Sequence, residues 1–219
     1  MLISTSLHVQ KAEAAGGGGH SINVGFGTMT ADQKDVNAWV DSLSLAGTKN
    51  VPSGYELFAA YEYRFSGSMF ALHFRPSYYL ASASGGGISA NHSGFTFFPM
   101  LRLFPLESKF MKFFLQVGLG YGTLTTKLEN SNTGGSGSYN GGAFGALGGM
   151  GAQFCFTDDH CMMFEGNLRY LPFGRNTGSG NGSLGGSITQ STGELELNNN
   201  DLATTLSGIT GSLAYVMNF

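Results

Sequence analysis

The last eleven residues, Ile209 to Phe219, read ITGSLAYVMNF, and they alternate. Ile209, Gly211, Leu213, Tyr215, Met217 and Phe219 fall on one face of an extended chain. Thr210, Ser212, Ala214, Val216 and Asn218 fall on the other. A period of two marks a β-strand with unlike faces, whereas a helix of about 3.6 residues per turn would scatter the set. A strand whose last residue is an exposed Phe suits lipid better than water.

Seven further segments alternate in the same way, near Ile22–Thr28, Tyr55–Phe65, Met69–Leu80, Phe95–Phe104, Met111–Leu124, Gly142–Phe156 and Met162–Leu171. The eighth strand is expected from about Thr204 to Phe219. Eleven residues is the length of one tilted β-strand across a bilayer core. The connections also sort by length. Ser66–Ser68, Pro105–Phe110 and Thr157–His160 are short, and the other four are expected to be long Gly/Ser/Asn-rich loops. An even strand number, with short turns on one rim and long loops on the other, predicts an all-β, eight-stranded antiparallel up-and-down transmembrane β-barrel.

Composition removes the competing classes. Charged residues are 11% of the chain while Phe numbers 18 and Tyr 9, which argues against intrinsic disorder. No run approaches 18 consecutive apolar residues, so a helical membrane span is excluded. A net charge of −3 speaks against nucleic acid as a partner.

Periodicity alone does not say which face points outward. A soluble barrel would keep Phe, Leu and Tyr inside and need dense charge outside. Here the opposite face holds mostly Gly and Ala with a few large polar groups, which suits a narrow interior. Those groups are Glu56, Glu62, Arg64, His73, Arg75, Arg102, Glu165 and Arg169, expected to form a lumen network. All six Lys lie in the tail, loops or strand ends, while four of five Arg lie mid-strand on this face. The rigid guanidinium fork holds buried ion pairs better than an ammonium.

These features resemble the small eight-stranded outer-membrane barrels of the OmpA/OmpX/opacity type. The residues that carry the resemblance are the terminal Phe219 with its alternating approach, FLQVGLGYG at 114–122, and EGNLRY at 165–170. It covers about Ser21 to Phe219. It implies a Gram-negative outer membrane with the long loops extracellular. It also implies assembly by the barrel insertion machinery reading the last strand through Leu213, Tyr215, Met217 and Phe219. Outer-membrane lipid and lipopolysaccharide, and an extracellular partner met through the loops, are the expected partners of a monomer.

The N-terminal residues 1–14 read as a secretory signal peptide or its remnant, with a disordered tail as the alternative. Residues 15–20 read as a Gly-rich linker before a barrel over 21–219. Cys155 and Cys161 flank a short turn on the inward face, so a disulfide is expected in an oxidising periplasm, against two free buried thiols. Thr30-Ala-Asp-Gln33 matches a capping box, with Val36, Trp39, Val40 and Leu43 at helical spacing and Gly47 as a stop. This loop helix is either a lid or interfacial anchor, or simply local packing.

No nucleophile motif accompanies His73 or His92-Ser93, and the scattered His do not suggest a metal site. The expectation is a non-enzymatic barrel without cofactor, with a structural or surface-interaction role and a lumen plugged by the Arg/Glu network. A small porin-like channel for hydrophobic compounds or ions, as in OmpW-like barrels, is the alternative. A lipid-modifying outer-membrane enzyme is the third.

Overall fold

A computed structural model describes residues 19–31, 33–45, 47, 50–51, 53–186, 188–191 and 193–219. The expected signal segment and residues 15–18 of the linker lie outside these residues. The chain runs β1 (His20–Ala31), α1 (Lys34–Ser42), β2 (Gly54–Arg64), β3 (Phe70–Gly85), β4 (Ile88–Glu107), β5 (Met111–Asn130), β6 (Gly135–Cys155) and β7 (His160–Tyr170). Six short strands follow: β8 (Pro172–Phe173), β9 (Thr177–Asn181), β10 (Ile188–Ser191), β11 (Glu194–Leu197), β12 (Asn200–Asp201) and β13 (Thr204–Thr205). The last, β14, spans Gly208–Asn218.

Strands β1 to β7 and β14 form one antiparallel ring. Each of β1 to β6 pairs with the next, β7 pairs with β14, and β14 closes on β1 from Ser21↔Asn218 to Ala31↔Gly208. Closure gives every strand of the ring a neighbour on both sides, as lipid demands of any strand that crosses it.

The faces are inverted relative to a water-soluble barrel. Phe144 is 83% exposed, Leu119 72% and Leu168 66%, whereas Arg102 is fully buried and Glu165 is 6% exposed. Bulky apolar side chains therefore form an outer belt while the charged groups face inward, as the abundance of Gly and Ala on the inner face suggests.

Two of the four expected long loops are strands instead. β3 and β4 meet at a two-residue turn, Gly86-Gly87, with φ of 59° and 82°. Paired positive φ is the backbone of a tight hairpin turn, which glycine adopts without a Cβ penalty. β5 and β6 are joined by residues 131–134. These strands run past the apolar belt because their alternation continues with the faces exchanged. On β5 the outward residues change from Leu119 and Tyr121 to Thr123, Thr125, Lys127 and Glu129. The inward ones change from Gly118, Gly120 and Gly122 to Leu124, Thr126 and Leu128. A search for outward apolar residues alone stops where lipid stops.

Above that changeover the interior is an ordinary hydrophobic core. Tyr79, Ile88, Phe98, Leu124, Leu128 and Tyr139 pack from the barrel walls against Leu184, Leu195, Leu202 and Leu206 of the long 171–207 connection. β9 adds to β6 along Ser136–Asn140, and β11 carries β10 and β12 beside it. The expected eighth strand from Thr204 is split. Thr204–Thr205 pairs with Pro172–Phe173, and β14 begins only at Gly208.

The loop helix is present, and Val36, Trp39 and Val40 are buried in this upper core with Leu43 packed beside it. The capping box is not formed. Thr30 stays in β1, and Gln33 makes no side-chain cap bond. Instead the Gln33 side chain donates to Thr205 O (2.5 Å) and accepts from Thr205 N (3.2 Å). Two further ties hold the helix down: Trp39 Nε1 donates to Gly185 O at 3.2 Å, and Asp35 Oδ2 accepts from Ala203 N at 2.8 Å. The helix ends at Ser42, before Gly47, as Ser44 turns to φ 49°.

Candidate functional site: the charged lumen

Six strands aim charged and polar side chains at the middle of the barrel: β2 (Glu56, Glu62), β3 (His73, Arg75), β4 (Arg102), β5 (Gln116), β7 (Glu165, Asn167, Arg169) and β14 (Ser212). Each does so because its inward positions alternate with a lipid-facing row, so the register of the wall fixes which charges share a level.

The groups form a chain of alternating sign. Arg169 Nη1 lies 3.2 Å from Glu56 Oε2, and Glu56 Oε1 is 3.8 Å from Arg75 Nη2. Arg75 Nη1 donates to Glu165 Oε1. Arg102 then bridges two carboxylates, with Nη2 donating to Glu165 Oε2 at 3.0 Å and Nη1 to Glu62 Oε2 at 2.7 Å. His73 Nδ1 ends the chain 3.2 Å from Glu62 Oε2. Three carboxylates thus face three guanidiniums, which balances the charge of a region walled by protein and lipid.

Neutral partners add further hydrogen bonds, while Arg75 Nε and His73 Nε2 are buried without one among the described residues. Arg102 Nε donates to Gln116 Oε1 at 2.7 Å, Ser212 Oγ to Glu165 Oε1 at 2.9 Å, and Arg169 Nε to Leu206 O at 2.9 Å. Gln116 Nε2 donates to Asn167 Oδ1 at 2.5 Å. Burying an ion without such partners would cost several kcal/mol per charge, roughly, so each bond here offsets a desolvation.

Two aromatic rings on the inward face complete the arrangement. The Arg75 guanidinium carbon sits 3.7 Å from the Phe58 ring centroid and that of Arg102 sits 4.2 Å from the Phe114 centroid. Stacking of this kind adds attraction that strengthens when water is excluded. The rings fit because glycines face them: a Cβ on Gly25 would strike Phe58, and one on Gly151 would strike Phe114. The alternation places Phe58 on the polar face without giving it a role. An inward aromatic opposite an inward glycine is the signal that marks it.

Arg64 departs from the expected network. It lies at the end of β2, at the rim, where its Nη1 and Nη2 donate to Glu107 Oε1 (2.6 Å) and Oε2 (2.5 Å) in a bidentate pair. Glu107 escapes a reading of strand interiors because it closes a strand instead of lying within one. Below the charged layer Phe104, Phe114, Met163 and Val216 pack around Cys155 and Cys161, which face each other across the β6–β7 hairpin and are bridged.

The histidines are held in structural contacts. Ser77 Oγ is bonded to Thr96 Oγ1 and not to His73, and His92 Nδ1 meets Thr126 Oγ1 at 3.1 Å. Among the described residues no three His, Cys, Asp or Glu side chains cluster as metal ligands.

Comparison of the fold with solved structures places it. The outer membrane protein OprG from Pseudomonas aeruginosa is similar, with a TM-score of 0.60 at 15% identity over 94% of this chain and 98% of that one. The fold is that of a small eight-stranded outer-membrane β-barrel. A major outer membrane protein from Thermus thermophilus is similar at a TM-score of 0.56 and 11% identity, over 91% of this chain and 99% of that one. At such identities the outer-membrane barrels share a fold with this chain and nothing narrower. No protein-family model matches the sequence, and no curated protein sequence matches it.

Proposed function

We propose that the chain is a monomeric, non-enzymatic outer-membrane barrel with a structural or surface-interaction role, and that its Arg/Glu network plugs the lumen. The single observation that carries this reading is the inversion of faces: an exposed apolar belt outside and a charge-balanced, mutually bonded set of side chains inside. A belt of this kind is stable only in lipid, and a layer of paired charges spanning a narrow barrel leaves side chains where a conduction path would run.

In this reading β14 supplies Leu213, Tyr215, Met217 and Phe219 as the strand recognised by the insertion machinery. The β2–β3, β4–β5 and β6–β7 turns and both ends of the barrel face the periplasm, and the extended β3–β4 and β5–β6 hairpins stand outside the cell, where they meet any surface partner. An extracellular half built as a soluble core beneath a helix offers a rigid platform for such contacts instead of mobile loops.

Two single-cysteine positions test the location and orientation. Ser131→Cys lies in the β5–β6 turn and Ser66→Cys in the β2–β3 turn, and both native residues are exposed. A membrane-impermeant maleimide added to intact cells should label the first and spare the second. The reverse pattern would invert the topology, and no labelling until lysis would remove the chain from the cell surface.

A further inference from the structure

The outer wall between β2 and β5 is not uniform. The β2–β3 ladder runs from Tyr55↔Leu80 to Phe58↔Ser77, breaks, and resumes at Tyr61↔Phe74. Pro76 sits at the break, and its missing N–H withdraws one ladder bond there. At the same level the outer surface sinks into a groove of about 400 Å³, lined by Val24, Leu57, Ala59, Pro76, Tyr78 and Phe95. Its walls are almost wholly apolar.

A second hollow of about 700 Å³ continues upward from Tyr78. It exists because β2 begins at Gly54 while β3 runs on to Gly85, so β3 above Leu80 has no partner on that side among the described residues. Here Ser53, Ser82, Asn91, Ser93 and Lys127 join Tyr55, Leu80 and Ala81 in a mixed lining. Ser82, Asn91 and Lys127 lie in one cross-strand row. That row is three outward positions above Pro76, roughly 20 Å along the strand at about 3.3 Å per residue. Lys127 is the only Lys or Arg lining the hollow among the described residues, and no carboxylate among them lines it.

We propose that this seam binds one phosphorylated acyl lipid of the surrounding leaflet, its chain against Ala59 and Pro76 and its phosphate at Lys127. The apolar lower half, open to the surrounding lipid, matches an acyl chain. The Ser and Asn groups and the Lys127 ammonium supply donors for phosphate oxygens at the height where the belt gives way to polar residues. This rests on the reading of the chain as a lipid-embedded barrel.

Native mass spectrometry of the full chain, folded in mild detergent, tests it with bisphosphorylated lipid A, its dephosphorylated form, and inorganic phosphate as probes. One lipid A should stay bound per barrel, at least tenfold more than the dephosphorylated form. Lys127→Gln should lower retention of the phosphorylated lipid at least fivefold and leave the dephosphorylated one unchanged. Ala59→Trp, which fills the lower groove, should reduce both. Equal retention of the two lipids, or indifference to Lys127→Gln, would overturn the site. So would inorganic phosphate competing as well as lipid A, since the lower groove would then contribute nothing. Insertion into vesicles is scored in parallel: a chain that inserts but holds no lipid fails this inference alone, and one that does not insert fails the barrel reading itself.

Discussion

Arg102 and Glu165, 63 residues apart in sequence, meet at 3.0 Å in the centre of the barrel, and each is bonded to a second partner of opposite charge. Strand register alone brings them to this distance, since β4 and β7 are not neighbours in the ring.

Removing one member strands the others. Glu165→Gln keeps the shape and deletes the charge that Arg75 and Arg102 share. Breaking a buried pair in this way costs about 3–5 kcal/mol, because the residual charges stay desolvated. Urea unfolding of the barrel in vesicles should show that loss. An unchanged midpoint would mean that the arginines are hydrated and the layer is wet.

The rim pair should behave differently. Arg64 and Glu107 are both partly exposed, at 18% and 15% of their side-chain surfaces. Partly solvated ion pairs contribute about 0–1 kcal/mol and weaken with salt. Glu107→Gln should therefore shift stability by less than about a quarter of the Glu165→Gln effect. A larger loss would make the rim, and not the lumen, the electrostatic anchor.

The glycines facing Phe58 and Phe114 make a steric prediction. Gly151→Val places branched carbons where the Phe114 ring stacks on Arg102. Overpacking a filled interior costs about 1–3 kcal/mol and distorts neighbours. The same substitution at Gly166, where a Cβ would meet nothing within 4 Å, is the control and should be tolerated. Refolding yield in detergent, read by the gel shift of folded against boiled protein, distinguishes the two.

The Cys155–Cys161 bridge closes a loop of only a few residues, so its chain-entropy contribution is about 2 kcal/mol or less. Protein denatured without reductant should show no reactive thiol, and replacing both Cys with Ala should leave a folded barrel. Two labelled thiols per chain would contradict the bridge.

Much of this is legible in the sequence, and the exceptions have physical reasons. The eight lipid-facing rows are visible because a membrane imposes one rule on every outward position, and the inward carboxylates and guanidiniums follow as the complementary set. The hairpin extensions are hidden because Leu124 and Leu128 are apolar on the inner face, the opposite phase from Leu119 and Tyr121. The capping box fails because β1 runs on through Thr30, and Gln33 finds a stronger role bridging to Thr205. Arg64 is drawn into the network by its position on the polar face. Only the register shows that its level is the rim, beside Glu107.

The single Trp reports on the upper core. Trp39 is fully buried, tied to Gly185 O. Its fluorescence should be shielded from iodide in the folded barrel, and Asp35→Ala with Gln33→Ala should loosen the helix and admit the quencher. Quenching of the wild type to the level of free tryptophan would mean that the helix does not sit on the barrel.

The plugged lumen is tested most directly by single-channel recording of the wild-type chain in planar bilayers. Filled by paired charges and closed above by an apolar core, the barrel should show no steady conductance beyond rare, brief events. Arg102→Ala with Glu165→Ala should raise the frequency of openings. Large, long-lived openings of the unmodified protein would contradict the plug and establish a channel in its place.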